Sequence, residues 1–196
     1  MEVIEVPRYC ATNSYVVRAP QASLLIDTGF PSTLHRFNAN LKQAGMPSNA
    51  ITHMMATHYH PDHIGLLPSL LSYGVTLVAF GEQANHLHDS DAIFARDPKE
   101  RFSPIDDRRA VSVPLTKSRA FLSSLGICGE VIPLPSHSPD SVGVVLDTGE
   151  AFVGDLTPLS WIDLGDENPV TKDWKRVLSH GPHTAYYGHA PKECLD

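Results

Sequence analysis

Four side chains able to hold a metal ion or accept a proton fall within the six positions 58 to 63: His58, His60, Asp62 and His63, in the run Thr57-His58-Tyr59-His60-Pro61-Asp62-His63. Imidazole nitrogens mixed with a carboxylate suit zinc, and also iron or manganese, because these borderline ions accept N and O donors together. Along an extended segment alternate side chains point the same way. His58 and His60 can therefore meet at one point, while the turn that follows aims Asp62 and His63 at a second. The spacing predicts two metal ions side by side. A lone histidine is ordinarily a hydrogen-bonded surface or core residue, but that does not account for four donors crowded at one junction. Two cations roughly 3.5–4 Å apart bring the pKa of a shared water from about 15.7 to near 7, which makes hydroxide available at neutral pH. The chemistry to expect is hydrolysis.

Such a cluster needs a strand to deliver it and a helix to follow it. Residues 51–56 read as that strand, and Ile64, Leu67, Leu70 and Leu71 as a short helix after the motif. Upstream, residues 3–6, 14–17 and 23–26 read as a strand meander. A helix then starts from Ser32 as N-cap, runs through Leu34, Phe37 and Leu41, and stops at Gly45. Downstream the pattern gives a strand at 75–80, a helix at 117–125 ending at Gly126, and strands at 130–134, 142–146 and 151–153. Asp147-Thr148-Gly149 turns the last two into a hairpin. A helix at 172–179 and a strand at 184–187 close the series. Residues 81–114 are expected to form a helix plus an irregular excursion that covers the substrate. Antiparallel hairpins separated by helices predict two sheets covered by helices.

The whole chain sets outer bounds. At 196 residues, with 42% hydrophobic and 19% charged side chains, it is expected to fold as one globular domain over residues 1–196. No apolar run is long enough for a membrane span, and the N-terminus has no basic segment followed by an apolar one, so neither a membrane anchor nor a secretory leader is expected. Three cysteines at unrelated spacings do not make a disulfide framework, and the cytoplasm is the expected compartment. A formal charge of −7 offers no general attraction to a phosphate backbone. The expected partner is a small-molecule substrate rather than nucleic acid. The oligomeric state is not legible.

Residues 57–63 resemble the HxHxDH signature of the metallo-β-lactamase-fold superfamily, and the rest of the chain supplies that family's pattern in order. The further matches are Asp27-Thr28-Gly29, His137 in Ser136-His137-Ser138-Pro139-Asp140-Ser141, Asp155 in Val153-Gly154-Asp155, and His189 in Tyr187-Gly188-His189. The resemblance implies a four-layer αβ/βα sandwich, an α/β fold with two mixed sheets flanked by helices and metals at one edge. It implies that His58, His60 and His137 hold a first metal, that Asp62, His63 and His189 hold a second, and that Asp155 bridges both. Asp27 would support the metal ligands from beneath. Asp62 would also accept a hydrogen bond from the nucleophile. Tyr59 and Tyr187, beside ligands, are candidates to donate to a developing oxyanion. His86 and His88 are weaker candidates to face substrate.

A bridging Asp155 resembles the family's ester, thioester, lactone and phosphoester hydrolases and not its true β-lactamases. Glyoxalase II is similar at the metal motifs, but little chain follows His189, so its glutathione-binding helical domain is not expected. Flavodiiron proteins carry Glu where His60 stands. The resemblance thus implies a hydrolase with two ions, zinc first and iron or manganese as substitutes, acting on an ester, thioester or lactone. The competing readings are a phosphodiesterase and a persulfide dioxygenase that uses a single iron at the first position. Trp161 fits either a subunit interface or the rim of the site.

Overall fold

The computed structural model describes residues 1–97, 99 and 102–195. It contains two mixed sheets. The first has six strands in sequence order: β1 (Glu2–Val6), β2 (Ser14–Arg18), β3 (Ser23–Ile26), β4 (His53–Met55), β5 (Thr76–Phe80) and β6 (Ala110–Val113). The meander β1 to β3 is antiparallel, whereas β3 to β6 run parallel to one another. The second sheet runs β11 (Glu193–Cys194), β10 (Thr184–Tyr187), β9 (Glu150–Gly154), β8 (Val142–Leu146), β7 (Gly129–Pro133), with only the β9–β10 pair parallel.

Three apolar layers hold the sandwich together. Between the sheets, Val17, Leu24, Ile26, Val78 and Phe80 meet Val144 and Phe152. Outside the first sheet, Phe37 and Leu41 of α1 (Leu34–Gln43) and Leu67, Leu70 and Leu71 of α3 (Leu67–Ser72) pack on Leu25, Met54 and Leu77. Outside the second, Trp174 and Val177 of α6 (Pro169–Leu178) cover Val145, Ala151 and Ala185. Strands β3 and β8 are apolar at nearly every position and buried throughout, as expected for strands covered on both faces. The order helix, sheet, sheet, helix is the αβ/βα sandwich. Two short helices flank the loops, α2 (Pro61–Ile64) and α4 (Asp91–Phe94), and α5 (Ser118–Ser124) packs beside β7. Among the described residues no helix is long and apolar enough to cross a membrane.

The structure departs from the sequence reading in several places. Parallel pairs outnumber the expected hairpins in the first sheet, because α1, α3 and the 81–109 segment return the chain to the same end after β3, β4 and β5. Helix α1 is led in by a 3-10 turn at Pro31–Thr33 and starts from Thr33 with no side-chain cap, so Ser32 does not cap it. Helix α6 begins at Pro169, earlier than the apolar spacing indicates. Asn168 accepts from the Thr171 N–H, and the Thr171 hydroxyl satisfies the Asn168 N–H in return. Residues 110–113, expected to be part of an irregular excursion, form strand β6, which is short, lies at a sheet edge and exposes Val111. Residues 98, 100 and 101 of that excursion lie outside the described residues.

Candidate metal centre

The chemistry-bearing side chains all come from loops at one edge of the sandwich. Asp27 follows β3, the 57–63 loop follows β4, Asp155 follows β9 and His189 follows β10, so each sits at the carboxyl end of a parallel-paired strand. His137 enters from the loop between β7 and β8. Backbone bonds fix that edge: Val142 donates to the Thr57 carbonyl at 2.8 Å, Thr28 to His63 at 2.9 Å, and Gly188 to Gly154 at 2.8 Å. Asp140, 81 residues from Tyr59 in sequence, accepts the Tyr59 N–H at 2.6 Å and the Ser138 hydroxyl at 2.7 Å, which ties the His137 loop to the 57–63 loop.

Two groups of donor atoms result. His58 Nε2 lies 3.0 Å from His60 Nδ1, which lies 3.2 Å from His137 Nε2. His189 Nε2 lies 3.1 Å from Asp62 Oδ2, and His63 Nε2 lies 3.8 Å from the same oxygen. Asp155 stands between the groups. Its Oδ2 is 3.8 Å from His58 Nε2, 3.7 Å from His137 Nε2 and 3.3 Å from His189 Nε2, and its Oδ1 is 3.4 Å from His63 Nε2. Ligands at about 2.0–2.1 Å around a tetrahedral zinc stand roughly 3.3 Å apart, so separations in this range suit one ion per group.

The outer nitrogens of His58 and His189 are engaged, which turns their inner ones toward the centre. His189 Nδ1–H donates to the Ala11 carbonyl at 3.2 Å. His58 Nδ1 pairs with Thr57 Oγ1 at 3.2 Å, and that hydroxyl donates to Asp27 Oδ2 at 2.8 Å. His63 Nδ1 lies 3.0 Å from Asp27 Oδ2, near enough for an ion pair but off the line of a hydrogen bond. The Thr12 hydroxyl donates to Asp62 Oδ2 at 3.1 Å. Asp27 holds a left-handed φ of 58°, a conformation that non-glycine residues seldom adopt outside functional turns.

These residues fit a pair of divalent cations. His63 is 0% exposed, yet both its ring nitrogens, together with Asp155 Oδ1, are buried without a hydrogen-bond partner. Buried polar atoms ordinarily find partners; His63 Nε2 and Asp155 Oδ1 face the donor groups, and His63 Nδ1 faces Asp27. Charge says the same. Burial would raise the carboxyls of Asp62 and Asp155, but hydrogen bonds from His189 and the charge of His63 hold both well below the usual carboxylate range. Burial would lower His63, but Asp27 and Asp155 push it up to about 10; hydrogen bonds to Asp155 and Asp62 push His189 up to about 11. The acid-rich group therefore draws in positive charge, which a cation would supply in place of protons. In the other group burial and neighbouring His63 push His58 down to about 2, and burial lowers His137, which leaves neutral imidazoles ready to ligate.

A cavity of about 290 Å³ opens beside the centre, lined by His137, Asp155, His189, Leu156, Pro158 and Trp161. None of the described residues of 81–114, the expected substrate-covering segment, lines it. The loop carrying Trp161 holds that position instead. His86 and His88 pair on the surface with Asp89, Asp91 and Asp107. Tyr59 is buried in the core outside the first sheet and does not line the cavity, and the Tyr187 hydroxyl donates to Glu193 and accepts from the Leu159 N–H, so neither is placed to serve an oxyanion. Thr12 and Asp140 were not anticipated, because their partners lie 50 and 81 positions away. Gly188 has a local signal, since it adjoins His189: a Cβ there would stand 2.3 Å from Asp155 Oδ1 and 2.8 Å from His63 Cε1.

Comparison with known proteins bears on this geometry. A family profile described as the metallo-beta-lactamase superfamily matches residues 7–189. The chain is 31% identical over 147 residues to the lactamase-like protein nscB of Aspergillus fumigatus, covering 74% of this chain and 37% of that protein. It is 28% identical over 158 residues to an atrochrysone carboxyl ACP thioesterase of the same species, covering 78% of this chain and 31% of that protein. The chain thus spans well under half the length of these two relatives. A crystal structure of TTHA1623 in a di-iron-bound form superposes with a TM-score of 0.69 at 23% identity, covering 100% of this chain and 95% of the other.

Proposed function

From the premise that the chain belongs to the metallo-β-lactamase superfamily, we propose that it is a dinuclear metal-dependent hydrolase of small uncharged esters, thioesters or lactones. One observation carries the reading: Asp155 stands within 3.8 Å of nitrogens from both donor groups, so a single carboxylate can serve two ions. His58, His60 and His137 would hold the first ion and Asp62, His63 and His189 the second, with Asp155 shared. Zinc suits the mixed imidazole and carboxylate donors, and iron or manganese would serve as substitutes. When bound, the pair would supply positive charge beside the reacting carbonyl and a water acidic enough to act as nucleophile near neutral pH.

The chain's own groups do the rest. Asp62, kept ionised by His189 and His63 and anchored by Thr12, accepts a hydrogen bond from the attacking water and sets its direction. Asp27 and Thr57 hold His58 and His63 in place. Ser138 gives its hydroxyl to Asp140 and so is not a nucleophile. The second donor group disfavours a single-iron persulfide dioxygenase. Among the described residues no Lys or Arg lines the cavity, which disfavours a phosphodiesterase. The thioesterase-named relatives support the thioester class.

Elemental analysis of the purified protein with a panel of ester, thioester, lactone and phosphodiester substrates tests the reading. Two metal equivalents per chain with acyl-substrate turnover support it. One iron with oxygen uptake, or turnover of phosphodiesters alone, replaces it.

A further inference from the structure

Trp161 is 75% exposed, whereas the chain's other tryptophan, Trp174, is fully buried in the core. Leaving an indole in water forgoes a large burial gain, so the way this one is held matters. It ends a 3-10 turn, Leu159–Trp161, that Pro158 begins. That turn is fastened to the strand leading to His189. Leu159 N–H donates to the Tyr187 hydroxyl at 3.2 Å, the same hydroxyl donates to Glu193 Oε2 at 2.6 Å, and Ser160 N–H donates to Glu193 Oε1 at 3.0 Å. Tyr187 stands two residues before His189 and also lines the cavity. The backbone under Trp161 is thus pinned to the metal centre while its indole stays uncovered.

The wall between indole and centre is apolar. Leu156, Pro158, Ala190 and Pro191 complete the lining, and the polar members are the donor residues His137, Asp155 and His189 with the already engaged Tyr187. Small-molecule sites are typically apolar clefts of about 300–1,000 Å³. At about 290 Å³ this one suits a ring or a short branched chain rather than a whole coenzyme. No Lys or Arg stands in the lining, so a carboxylate or phosphate seated against the apolar wall, away from the donor residues, would lose its hydration uncompensated.

Resting on the hydrolase reading, we propose that this cavity is a subsite for an aromatic or comparably broad apolar group on the substrate, with Trp161 as the residue that selects it. Flat and rigid, on a turn whose backbone is fixed before the substrate arrives, the indole offers a broad stacking face. The preferred substrate is therefore an uncharged ester or thioester with a ring separated by one or two atoms from the reacting carbonyl carbon.

Two matched pairs of thioesters test this on metal-loaded protein: S-methyl phenylthioacetate against S-methyl thioacetate, and S-benzyl against S-methyl thioacetate. At least one ring-bearing member is expected to gain about tenfold in kcat/KM, as ring burial of this size allows. Trp161→Ser is expected to shrink that ratio about fivefold or more, and a succinyl thioester to show no such gain over acetyl. A non-hydrolysable ketone with CH2 in place of the thioester sulfur supplies a binding readout. The ring-bearing ketone is expected to quench tryptophan emission in the wild type but not in Trp161→Phe, where only the buried Trp174 remains. Turnover of every substrate with ratios near one overturns the subsite and leaves the hydrolase standing. Quenching by the ketone with no thioester cleaved does the reverse, and absence of both overturns both.

Discussion

Asp27 and Thr57 are joined twice: Asp27 Oδ1 accepts the Thr57 N–H at 2.6 Å, and Oδ2 accepts the Thr57 hydroxyl at 2.8 Å. Both residues are buried, and the same carboxylate faces His63 Nδ1. Asp27→Ala would strand the Thr57 N–H and remove the charge behind His63. The expected cost is about 1–3 kcal/mol, read by chemical denaturation of the metal-free protein. Asp27→Asn keeps an acceptor for the N–H and is expected to cost less in stability while still weakening metal retention in dialysis against a chelator. Equal retention by wild type and both variants would detach Asp27 from the centre.

On the proposed reading, Asp155 is the group that a second ion would depend on. Asp155→Ala takes away the one carboxylate that, among the described residues, stands near both histidine sets. Metal content is expected to drop by at least one equivalent, with turnover lost. Mass spectrometry under non-denaturing conditions would count the ions directly, and an unchanged count refutes the bridging role.

Much of this centre was legible because its donors crowd a short run or follow strand ends: His58, His60, Asp62 and His63 announce themselves by spacing, and Asp155 and Asp27 by ending apolar strands. Support from a distance was not legible. Thr12 and Asp140 are unremarkable in sequence and gain their roles only when β2 and β8 bring their loops to the 57–63 turn. The same holds for the fold. Strands buried on both faces read clearly as apolar runs, whereas β6 is short, lies at a sheet edge and leaves most of its residues outside the core, and β11 is only two residues long. The direction in which β4, β5 and β6 pair follows from how the intervening helices pack, which residue spacing does not encode.

His88 links two surface segments, with Nδ1 2.8 Å from Asp91 Oδ2 and Nε2 2.7 Å from Asp107 Oδ1. These hydrogen bonds, Asp91 first, raise it above its ordinary 6.5. A raised histidine contributes stability that is fully present below its unfolded value and fades as the pH climbs through the folded one. The ring is about half exposed, so screening limits the effect to about 0.5 kcal/mol. His88→Gln is expected to lag wild type by that amount in urea denaturation at pH 5.5 and to match it by pH 9. A deficit that grew with pH would reverse the sign and remove the ion pairs as its source.

Gly188 and Gly74 separate two reasons for a glycine. Gly74 has a φ of +89° and open space around it, so Gly74→Ala meets only backbone strain, about 1–2 kcal/mol. No positive φ constrains Gly188, yet a Cβ there would press on Asp155 Oδ1 and His63 Cε1 at once. Core groups this tightly packed move only by shifting their neighbours, and here the neighbours are the proposed metal donors Asp155 and His63. Gly188→Ala is therefore expected to lose metal and turnover out of proportion to its stability. Gly74→Ala is expected to lower the denaturation midpoint while keeping its metal. The two variants should cross when metal content is plotted against stability; if both fell on one line, the crowding at Gly188 would be a folding matter and not a constraint set by the centre.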